Sequence, residues 1–444
     1  MNRRNVTRLA ALSAATLLAA ACSINDQTMG VRAAPAGGSQ FVRVANIGTS
    51  LSAGFQSGGI NDSTQREGPM YQLALGMGLT PGVDWFYPSF LYPGCPAPYT
   101  DILAGKRVNG ATNPPLASAC KQRNPASARP YMSDVAIPGL RAQQALHLSV
   151  VPFSSDTLPL AQFITGSIDP IAMVVAQQPT FVTIEVGAND VLAAATRGDT
   201  TFLTPAATFS AVMDTIAAAV AAINPAPGVA ISNVPNVTVI AHFTKASVLF
   251  CLKTGACPGV PATLPYSSPL FTVDASCAPN AAGGIGDTYL LTLGATGAIT
   301  SVLAASRAAK VDCVHDSALV AIAAAPAAAV APAGATINAT EYATITLRVA
   351  AFNTKIQAIA TANNWAYVDV NAVLAGQAAN TPAIPNFANP TALFACPAAG
   401  CPTGTATVFS LDGVHPTKAG YRLLAQAFAT AITAKYSGTT ITIP

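Results

Sequence analysis

An α/β protein with a parallel sheet is the fold that this sequence predicts, on the basis of two features. Short apolar, β-branched runs alternate with Ala-rich segments of helical period, and this alternation is typical of parallel sheets with helical crossovers. Several runs also end in a small-residue turn that leads into a helix-like segment. The clearest example is residues 41–54, where a run ending at Gly48 turns over Thr49, Ser50 and Leu51.

Five strands and four helices follow from this pattern, in chain order. The strands are predicted at 41–48, 133–137, 180–186, 237–242 and 365–370. The helices are predicted at 69–78, 205–223, 341–363 and 417–435. Open parallel sheets bind ligands at the carboxyl ends of their strands, so the turns after the first three strands are the places to look for a site.

The composition narrows the range of partners. Only 9% of the 444 residues are charged, against roughly 25% in ordinary soluble proteins. The formal net charge of +3 is spread without Lys/Arg clusters, which argues against nucleic acid and acidic partners. The mean hydropathy of +0.43 owes much to alanine, and no charge-free run of about 20 bulky apolar residues follows residue 22. We expect a soluble body with a neutral surface.

The N-terminus carries an export signal. Three arginines within the first eight residues precede the apolar run 9–21, which Cys22 follows. The sequence LLAAAC resembles a bacterial lipobox, in which the cysteine becomes the lipidated first residue, although Ala19 stands where leucine is usual. Residues 1–22 are therefore predicted to be a signal peptide of the lipoprotein type, with plain cleavage after Ala21 as the alternative. Residues 23–39 are predicted to be a flexible tether, and 40–444 the body in the cell envelope or outside the cell.

The cysteines agree with export. Nine cysteines less Cys22 leave eight, an even number that suits four disulfides in an oxidising compartment. Their spacing favours local pairs, although spacing alone does not fix the connectivity. The favoured pairs are Cys95–Cys120, Cys251–Cys257, Cys277–Cys313 and Cys396–Cys401. A metal site would need ligand clusters of the CxxC type, and the sequence has none, so no metal is predicted.

Two long segments lack a regular pattern. Residues 82–130 form a Pro/Asn/Gly-rich excursion, predicted to be loop and not core. Residues 245–338 hold four of the cysteines and a low-complexity Ala/Pro stretch, and they are predicted to be a disulfide-stapled insertion over the sheet edge. A lid and a surface decoration are both compatible with that sequence.

Four short stretches carry residues suited to catalysis, and each has an ordinary structural alternative. Ser50 in GTSLSAG could be a nucleophile or the cap of the next helix. PG at Gly139 and GAND at Asn189 follow predicted strands, as many structural turns do. In DGVHP, Asp412 can hold one ring nitrogen of His415 while the other faces outward, but such pairs also occur at surfaces. Residues 312–315 even repeat the spacing.

Together the four stretches resemble the SGNH (GDSL) hydrolase superfamily, whose members carry in this order a serine in a GDSL-like block, a glycine, a GxND block and a DxxHP block. The resemblance covers most of residues 41–245 and 340–435. It implies a three-layer α/β/α, flavodoxin-like fold with a five-stranded parallel sheet. Matched position by position, it implies a site of Ser50, Gly139, Asn189, Asp412 and His415.

The match is close at the C-terminus and departs from the family in the first block. HPTKAG fits the pattern by which the family enters its last helix, HPTxxG. Thr49 replaces the aspartate of GDSL, which puts the local hydrogen bonding of that block in doubt but not its nucleophile.

The roles that the resemblance implies also make chemical sense. A serine hydroxyl is a poor nucleophile until a base takes its proton, and His415 can do so if Asp412 fixes its tautomer. Attack on an ester creates an oxyanion, for which the donors would be the N–H groups of Ser50 and Gly139 and the side-chain amide of Asn189. Such a reaction needs no metal or cofactor.

Three histidines and one aspartate are left outside this scheme. The sequence gives His147, His242 and His315 no setting comparable to that of His415. Asp190 has no evident chemical task, so we expect it to brace its loop.

The sequence thus predicts an exported serine ester hydrolase. The alternative is a non-catalytic exported binding lipoprotein that retains the fold. The expected partner is an ester, with a lipid anchor to the membrane through Cys22. Nothing in the sequence selects among lipids, acyl-thioesters and acylated carbohydrates as substrate, nor does it indicate an oligomeric state.

Overall fold

The computed structural model describes residues 36–110, 132–149, 157–166, 168–315, 336–378, 384–394 and 408–444. The predicted signal peptide, Cys22, most of the tether, and the predicted disulfide partners Cys120, Cys396 and Cys401 lie outside these ranges.

A five-stranded, fully parallel sheet lies at the centre of the fold, as the sequence predicts. In chain order its strands are β1 (Val44–Gly48), β4 (Asp134–Ala136), β5 (Phe181–Ile184), β6 (Gly228–Ser232) and β12 (Ala366–Val368). Their spatial order is β12-β6-β5-β1-β4.

One of the predicted strands is wrong. Residues 237–242 form no strand, and β6 at Gly228–Ser232 takes the fourth place instead. The apolar character of 237–242 has another cause, because Val237 and Ile240 are buried at 3% and 5% exposure in a turn-rich segment. An apolar run marks burial, and burial does not require pairing in a sheet.

Side chains on the sheet alternate between two apolar cores, which makes the fold three layers of α/β/α. On β1, Val44 faces one core while Ala45 and Ile47 face the other. On β5, Phe181 joins the core of Val44, and Val182 joins the opposite core. Both faces of each strand are therefore buried, which explains the continuous apolar runs.

The helices divide between the two faces. The core of Ala45 and Ile47 is covered by α4 (Ala142–Leu146), α5 (Thr157–Thr165), α6 (Pro170–Ala176), α7 (Asn189–Arg197), α8 (Ala206–Ala221) and α11 (Ala339–Ala362). The core of Val44 is covered by α3 (Pro69–Gly76), α12 (Val370–Ala378) and α13 (Lys418–Lys435). Two short helices, α1 (Ser50–Ala53) and α2 (Asp62–Glu67), follow β1. The four predicted helices are thus confirmed, with ends shifted by at most two residues.

Among the described helices, one stretch, Thr200–Ala221, has the length and apolar composition to cross a membrane. Of its most apolar 18 residues, 39% are buried inside the protein. It includes α8, whose Phe209, Ile216 and Val220 pack into a core of the sheet. A core helix of this fold passes the same test of length and composition.

The insertion between residues 245 and 338 has more regular structure than the sequence predicts. Its elements are β7 (Phe243–Lys245), α9 (Ala246–Thr254), β8 (Phe271–Val273), β9 (Leu290–Thr292), α10 (Leu293–Ala304), β10 (Ala309–Val311) and β11 (Thr336–Ile337). They form an antiparallel sheet β11-β9-β7 and a parallel pair β10-β8 around a core of their own. Strands of two or three residues are too short to show a period, which is why the pattern was missed.

Two of the predicted disulfides are present. Cys251 pairs with Cys257 and Cys277 with Cys313, and both members of the second pair are buried in the core of the insertion. Cys95 is also disulfide-bonded, and its predicted partner Cys120 lies outside the described residues.

The excursion from residue 82 is not purely loop, contrary to the prediction. Trp85 and Phe90 are each 1% exposed and enter the two cores of the main sheet. A hairpin of β2 (Tyr99–Asp101) and β3 (Lys106–Arg107) follows. Aromatic side chains can anchor an irregular backbone in a core, and turn residues between them conceal this in the sequence.

Candidate active site

Ser50 lies at the end of the second-from-edge strand, in the strand–turn–helix setting that the sequence predicts. Strand β1 ends at Gly48, Thr49 is extended with φ −115°, and Ser50 is the first residue of α1. The helix ends after one turn at Gly54, whose φ of +77° is readily available only to glycine. The Ser50 side chain is thereby held on rigid backbone, and the residue is 6% exposed.

His415 and Asp412 come from the other end of the chain and meet Ser50. His415 Nε2 lies 2.9 Å from Ser50 Oγ, and His415 Nδ1 lies 2.9 Å from Asp412 Oδ2. If the ring proton is on Nδ1, Nδ1–H donates a hydrogen bond to the carboxylate. Nε2 can then accept a hydrogen bond from the serine hydroxyl. The two side chains are each 12% exposed, so the contacts are largely shielded from water.

Asp412 is ringed by hydrogen-bond donors. Its Oδ1 accepts from the N–H groups of Val414 and His415, both at 2.9 Å, and from the Ser410 hydroxyl at 3.2 Å. Its Oδ2 accepts from Gly58 N–H at 2.7 Å as well as from His415. Burial alone would raise the pKa of Asp412, but the charge of His415 and these donors outweigh it and hold the pKa below its usual range. The carboxylate is therefore ionised.

A tight turn at residues 56–59, which the sequence analysis does not predict, supports Asp412. Gln56 and Gly59 exchange backbone hydrogen bonds, and between them Ser57 and Gly58 have φ of +51° and +64°. Positive φ at both central residues is typical of the type I′ turns found in β-hairpins. The turn directs Gly58 N–H at Asp412, while Ser57 N–H donates to Ser410 Oγ at 2.7 Å. Only the Ser-Gly pair hints at this turn in the sequence.

Gly139 and Asn189 lie on adjacent turns that are joined by a hydrogen bond. Gly139 has φ +83° and follows Pro138 in a turn closed by Leu140 N–H to Ile137 O at 3.1 Å. Proline followed by a glycine of positive φ is typical of a type II turn. The Asn189 amide, at the start of α7, donates to Leu140 O at 3.0 Å.

Two backbone donors of this region lack an acceptor among the described residues. Within the described ranges, the N–H groups of Ser50 and Gly139 have no protein acceptor. The first N–H groups of a helix have no partner within the helix, and the Ser50 N–H is one of them. Such unpaired donors can stabilise an oxyanion.

Asp190 braces the same region, as expected. Its Oδ2 accepts from Ala142 N–H at 2.9 Å, at the start of the helix after the Gly139 turn, and its Oδ1 accepts from the Thr204 hydroxyl at 2.7 Å. Burial raises the pKa of Asp190 to about 6, against the effect of these hydrogen bonds.

Glu185 is the residue beside Ser50 that sequence reasoning missed. It follows β5 directly, is 4% exposed, and accepts hydrogen bonds from Thr49 and Ser52 on either side of Ser50. Burial raises the pKa of Glu185, and these donors oppose the rise. A glutamate inside an apolar strand run was the only signal in the sequence.

His242 also lies closer to the site than the sequence indicates. Its ring Nδ1 is 3.1 Å from the Asp412 backbone oxygen, and its backbone N–H donates to Gly413 O at 2.8 Å. Burial lowers the pKa of His242, while the contact with Asp412 opposes this shift. The ring thus supports the loop that carries His415, but among the described residues it has neither the carboxylate contact nor the serine contact of His415.

An apolar cluster flanks the loop that carries His415. Its buried members are Ile240, Leu293, Leu393, Phe394 and Phe409. Leu192, one turn along α7 from Asn189, and Val414, beside His415, are partly exposed and pack against it. Since Leu293 belongs to α10, the insertion contributes directly to the surroundings of the site.

In the described part of the chain, no group of three or more His, Cys, Asp or Glu side chains is arranged to hold a metal ion.

His147 makes an exposed contact with Asp169, with His147 Nδ1 3.5 Å from Asp169 Oδ2.

Fold and site together define an α/β protein in which a serine at the end of a parallel strand contacts a histidine, and the histidine contacts an aspartate. The sequence matches no family model and no curated protein. Among solved structures, the chain is similar to a variant of an acetyl xylan esterase from Geobacillus stearothermophilus, at 13% identity and a TM-score of 0.31. The match covers 89% of this chain and 97% of that chain. So distant a likeness carries no argument about the site.

Proposed function

We propose that this chain is an exported serine ester hydrolase of the SGNH (GDSL) type, with Ser50 as nucleophile, His415 as base and Asp412 as the residue that orients the base. The observation that carries the proposal is the 2.9 Å distance between Ser50 Oγ and His415 Nε2, with the ionised Asp412 on the opposite ring nitrogen. Residues 365 positions apart in the chain make this contact, which a simple helix cap would not require.

The reaction runs in two halves. Ser50 Oγ attacks the ester carbonyl carbon while His415 Nε2 takes the hydroxyl proton, and the carbonyl π electrons move onto its oxygen. When the C=O bond re-forms, the bond to the alkoxy group breaks, and that group leaves with the proton from His415. Water then attacks the acyl-enzyme in the same way, with its proton passing to His415, and Ser50 leaves with that proton as the acid is released.

The transient oxyanion would be held by the N–H groups of Ser50 and Gly139 and by the amide of Asn189. The two N–H groups are unpaired within the described residues, and the hydrogen bond from Asn189 to Leu140 O fixes the amide beside the Gly139 turn. Removing one such donor typically costs about 10² to 10³ in rate.

Export is the second part of the proposal. The predicted signal peptide of residues 1–22 supports it, and the disulfides Cys251–Cys257 and Cys277–Cys313 are consistent with an oxidising compartment. Fractionation of cells that express the full chain tests the anchor: the wild type should be found with membranes, and Cys22→Ala should not.

Hydrolysis of short-chain p-nitrophenyl esters tests the catalytic part. We expect Ser50→Ala to remain folded and to lose at least about 10³-fold in kcat, because the proposed acyl-enzyme forms on the Ser50 hydroxyl. The matched control is Ser232→Ala, since Ser232 is also buried and its hydroxyl makes no hydrogen bond within the described residues.

Retention of a tenth of the wild-type rate by Ser50→Ala would refute the assignment. Failure of the wild type on a panel that varies both acyl chain and alcohol would favour the non-catalytic binding protein instead.

A further inference from the structure

Glu185 is a buried carboxylate with an unusual set of neighbours. It directly follows β5, the strand next to β1, and its N–H donates to Ile47 O at 2.8 Å. Its Oε2 accepts from the Thr49 N–H at 3.0 Å and the Thr49 hydroxyl at 2.8 Å. The same oxygen accepts from the Ser52 N–H at 3.2 Å and the Ser52 hydroxyl at 3.0 Å.

These donors are neutral. Within the described ranges, no lysine, arginine or histidine forms an ion pair with Glu185. A buried carboxylate without a cation is costly unless hydrogen bonds replace its hydration. The four groups of Thr49 and Ser52 do this, so the carboxylate and the turn hold each other in one geometry.

The turn in question is the one that carries Ser50. Thr49 precedes Ser50 and Ser52 follows it by two residues, so Glu185 fixes the backbone on both sides of the nucleophile. Gly48 completes the arrangement, because a Cβ there would lie 2.3 Å from Ser52 Oγ and would displace it. With the flanking N–H groups directed at Glu185, the Ser50 N–H remains unpaired in the described structure.

We propose that Glu185 is a positioning residue of the nucleophile. It holds the Thr49–Ser52 turn so that Ser50 Oγ faces His415 and Ser50 N–H faces the developing oxyanion. The inference rests on the proposed function, but it assigns a role to a residue outside the five that the resemblance implied. Since it acts on geometry that matters in the transition state, its loss lowers kcat and leaves KM nearly unchanged.

The test compares Glu185→Gln with Asp134→Asn in steady-state ester hydrolysis by the full chain. Glutamine keeps the volume but places an NH₂ group among donors, so we expect kcat to fall by about 10- to 100-fold with KM within about twofold. Asp134 is the matched control, because it is also a buried carboxylate at the sheet but bonds to Asn46 and not to the nucleophile turn. Its variant should retain the wild-type kcat.

A second pair keeps the test valid if Glu185→Gln does not fold. Thr49→Val removes the hydroxyl at constant shape and should lower kcat, while Thr49→Ser retains the hydroxyl and should restore it. Wild-type kcat in a folded Glu185→Gln, wild-type kcat in Thr49→Val where Glu185→Gln does not fold, or an equal loss in Asp134→Asn would overturn the inference. An active Ser50→Ala in the same assay would instead refute the proposed function, so the two failures are distinguishable.

Discussion

Asp312 holds His315 with the same hydrogen bonds by which Asp412 holds His415. His315 Nδ1 lies 3.1 Å from Asp312 Oδ2, and Asp312 Oδ1 accepts from the N–H groups of Val314 and His315, both at 3.2 Å. The Asp-x-x-His spacing therefore encodes the local geometry by itself. The surroundings differ, because the His315 side chain is 72% exposed whereas that of His415 is 12% exposed and contacts Ser50.

This pair allows a controlled test of the base. We expect His415→Ala to remove nearly all esterase activity, together with the decline at low pH that protonation of a catalytic imidazole produces. His315→Ala removes the same kind of side chain from the same local motif and should leave kcat and its pH profile intact. The measurement is kcat/KM as a function of pH for both variants and the wild type. Greater damage from His315→Ala would contradict the assignment of the C-terminal pair.

Asn189→Ala tests the third of the proposed oxyanion donors. The amide should bind the transition state more strongly than the ester, so we expect kcat to fall by about 10² to 10³ with KM little changed. Steady-state kinetics on one activated ester separates the two constants. An effect confined to KM would assign Asn189 to substrate binding and remove it from the oxyanion site.

The parts of this molecule that could be predicted are those with local signals. Short apolar runs, each followed by a turn, predict the strands that end at Gly48 and near Ile137. The candidate residues Ser50, Gly139 and Asn189 could be predicted because they stand in turns of this kind. The resemblance added the order in which these stretches occur. It thereby brought in Asp412 and His415, which no local rule could have joined to Ser50.

What could not be predicted depends on contacts between distant residues. Glu185 reaches Thr49 across 136 positions, and Gly58 reaches Asp412 across 354 positions. Neither contact leaves a periodic trace in the sequence. The doubt raised by Thr49 in place of aspartate is answered in the same way, since Thr49 binds a carboxylate that the neighbouring strand supplies. The prediction of a strand at 237–242 was wrong for a different reason. This apolar run is buried as a turn-rich segment and not as a strand.

Gly58→Ala tests the turn that supports Asp412. Gly58 has φ +64°, and a Cβ there would lie 2.7 Å from a ring carbon of Tyr99, so the turn or the Tyr99 ring must shift, and we expect the hydrogen bond from Gly58 N–H to Asp412 to weaken. A hydrogen bond to a charged group contributes about 1.5 to 3 kcal/mol, and we expect kcat to fall by about 10-fold or more. Ester hydrolysis at one saturating concentration is sufficient.

The control for that variant is Gly82→Ala. Gly82 has φ +77° but no atom within 4 Å of the added Cβ, so it carries the backbone strain without the contact to the site. Both variants should lose about 1 to 2 kcal/mol of stability, and only Gly58→Ala should lose activity. Equal kcat for the two variants would show that the turn does not act on Asp412.

Asp134 should make the stability of the fold depend on pH. It lies on β4 with Asn46 Nδ2 donating to Oδ1 at 2.7 Å, and Asn46 Oδ1 accepts in turn from the Thr183 hydroxyl, so a polar chain crosses three strands. Burial raises the pKa of Asp134 to about 7, the hydrogen bonds from Asn46 and Ala136 oppose this, and the charge of Glu185 adds to it.

The sign of the effect follows from the direction of that shift. An unfolded aspartate titrates near pH 3.9, so the folded state binds this proton more tightly than the unfolded state does. The contribution of Asp134 to stability is therefore fully present below about pH 4 and is lost as the pH rises through about 7. The loss is on the order of 4 kcal/mol. Asp134→Asn keeps the acceptor for Asn46 and cannot ionise, so it should not show this loss.

Urea unfolding of the two proteins at pH 4, 5.5 and 7 measures the difference directly. Asp190, whose pKa is also raised, is present in both proteins, and its effect largely cancels in the comparison. We expect the variant to gain stability relative to the wild type steadily over this range. A difference in unfolding free energy that stays constant between pH 4 and 7 would show that the fold does not raise the pKa of Asp134 above its unfolded value, and its hydrogen bonds would then balance the effect of burial.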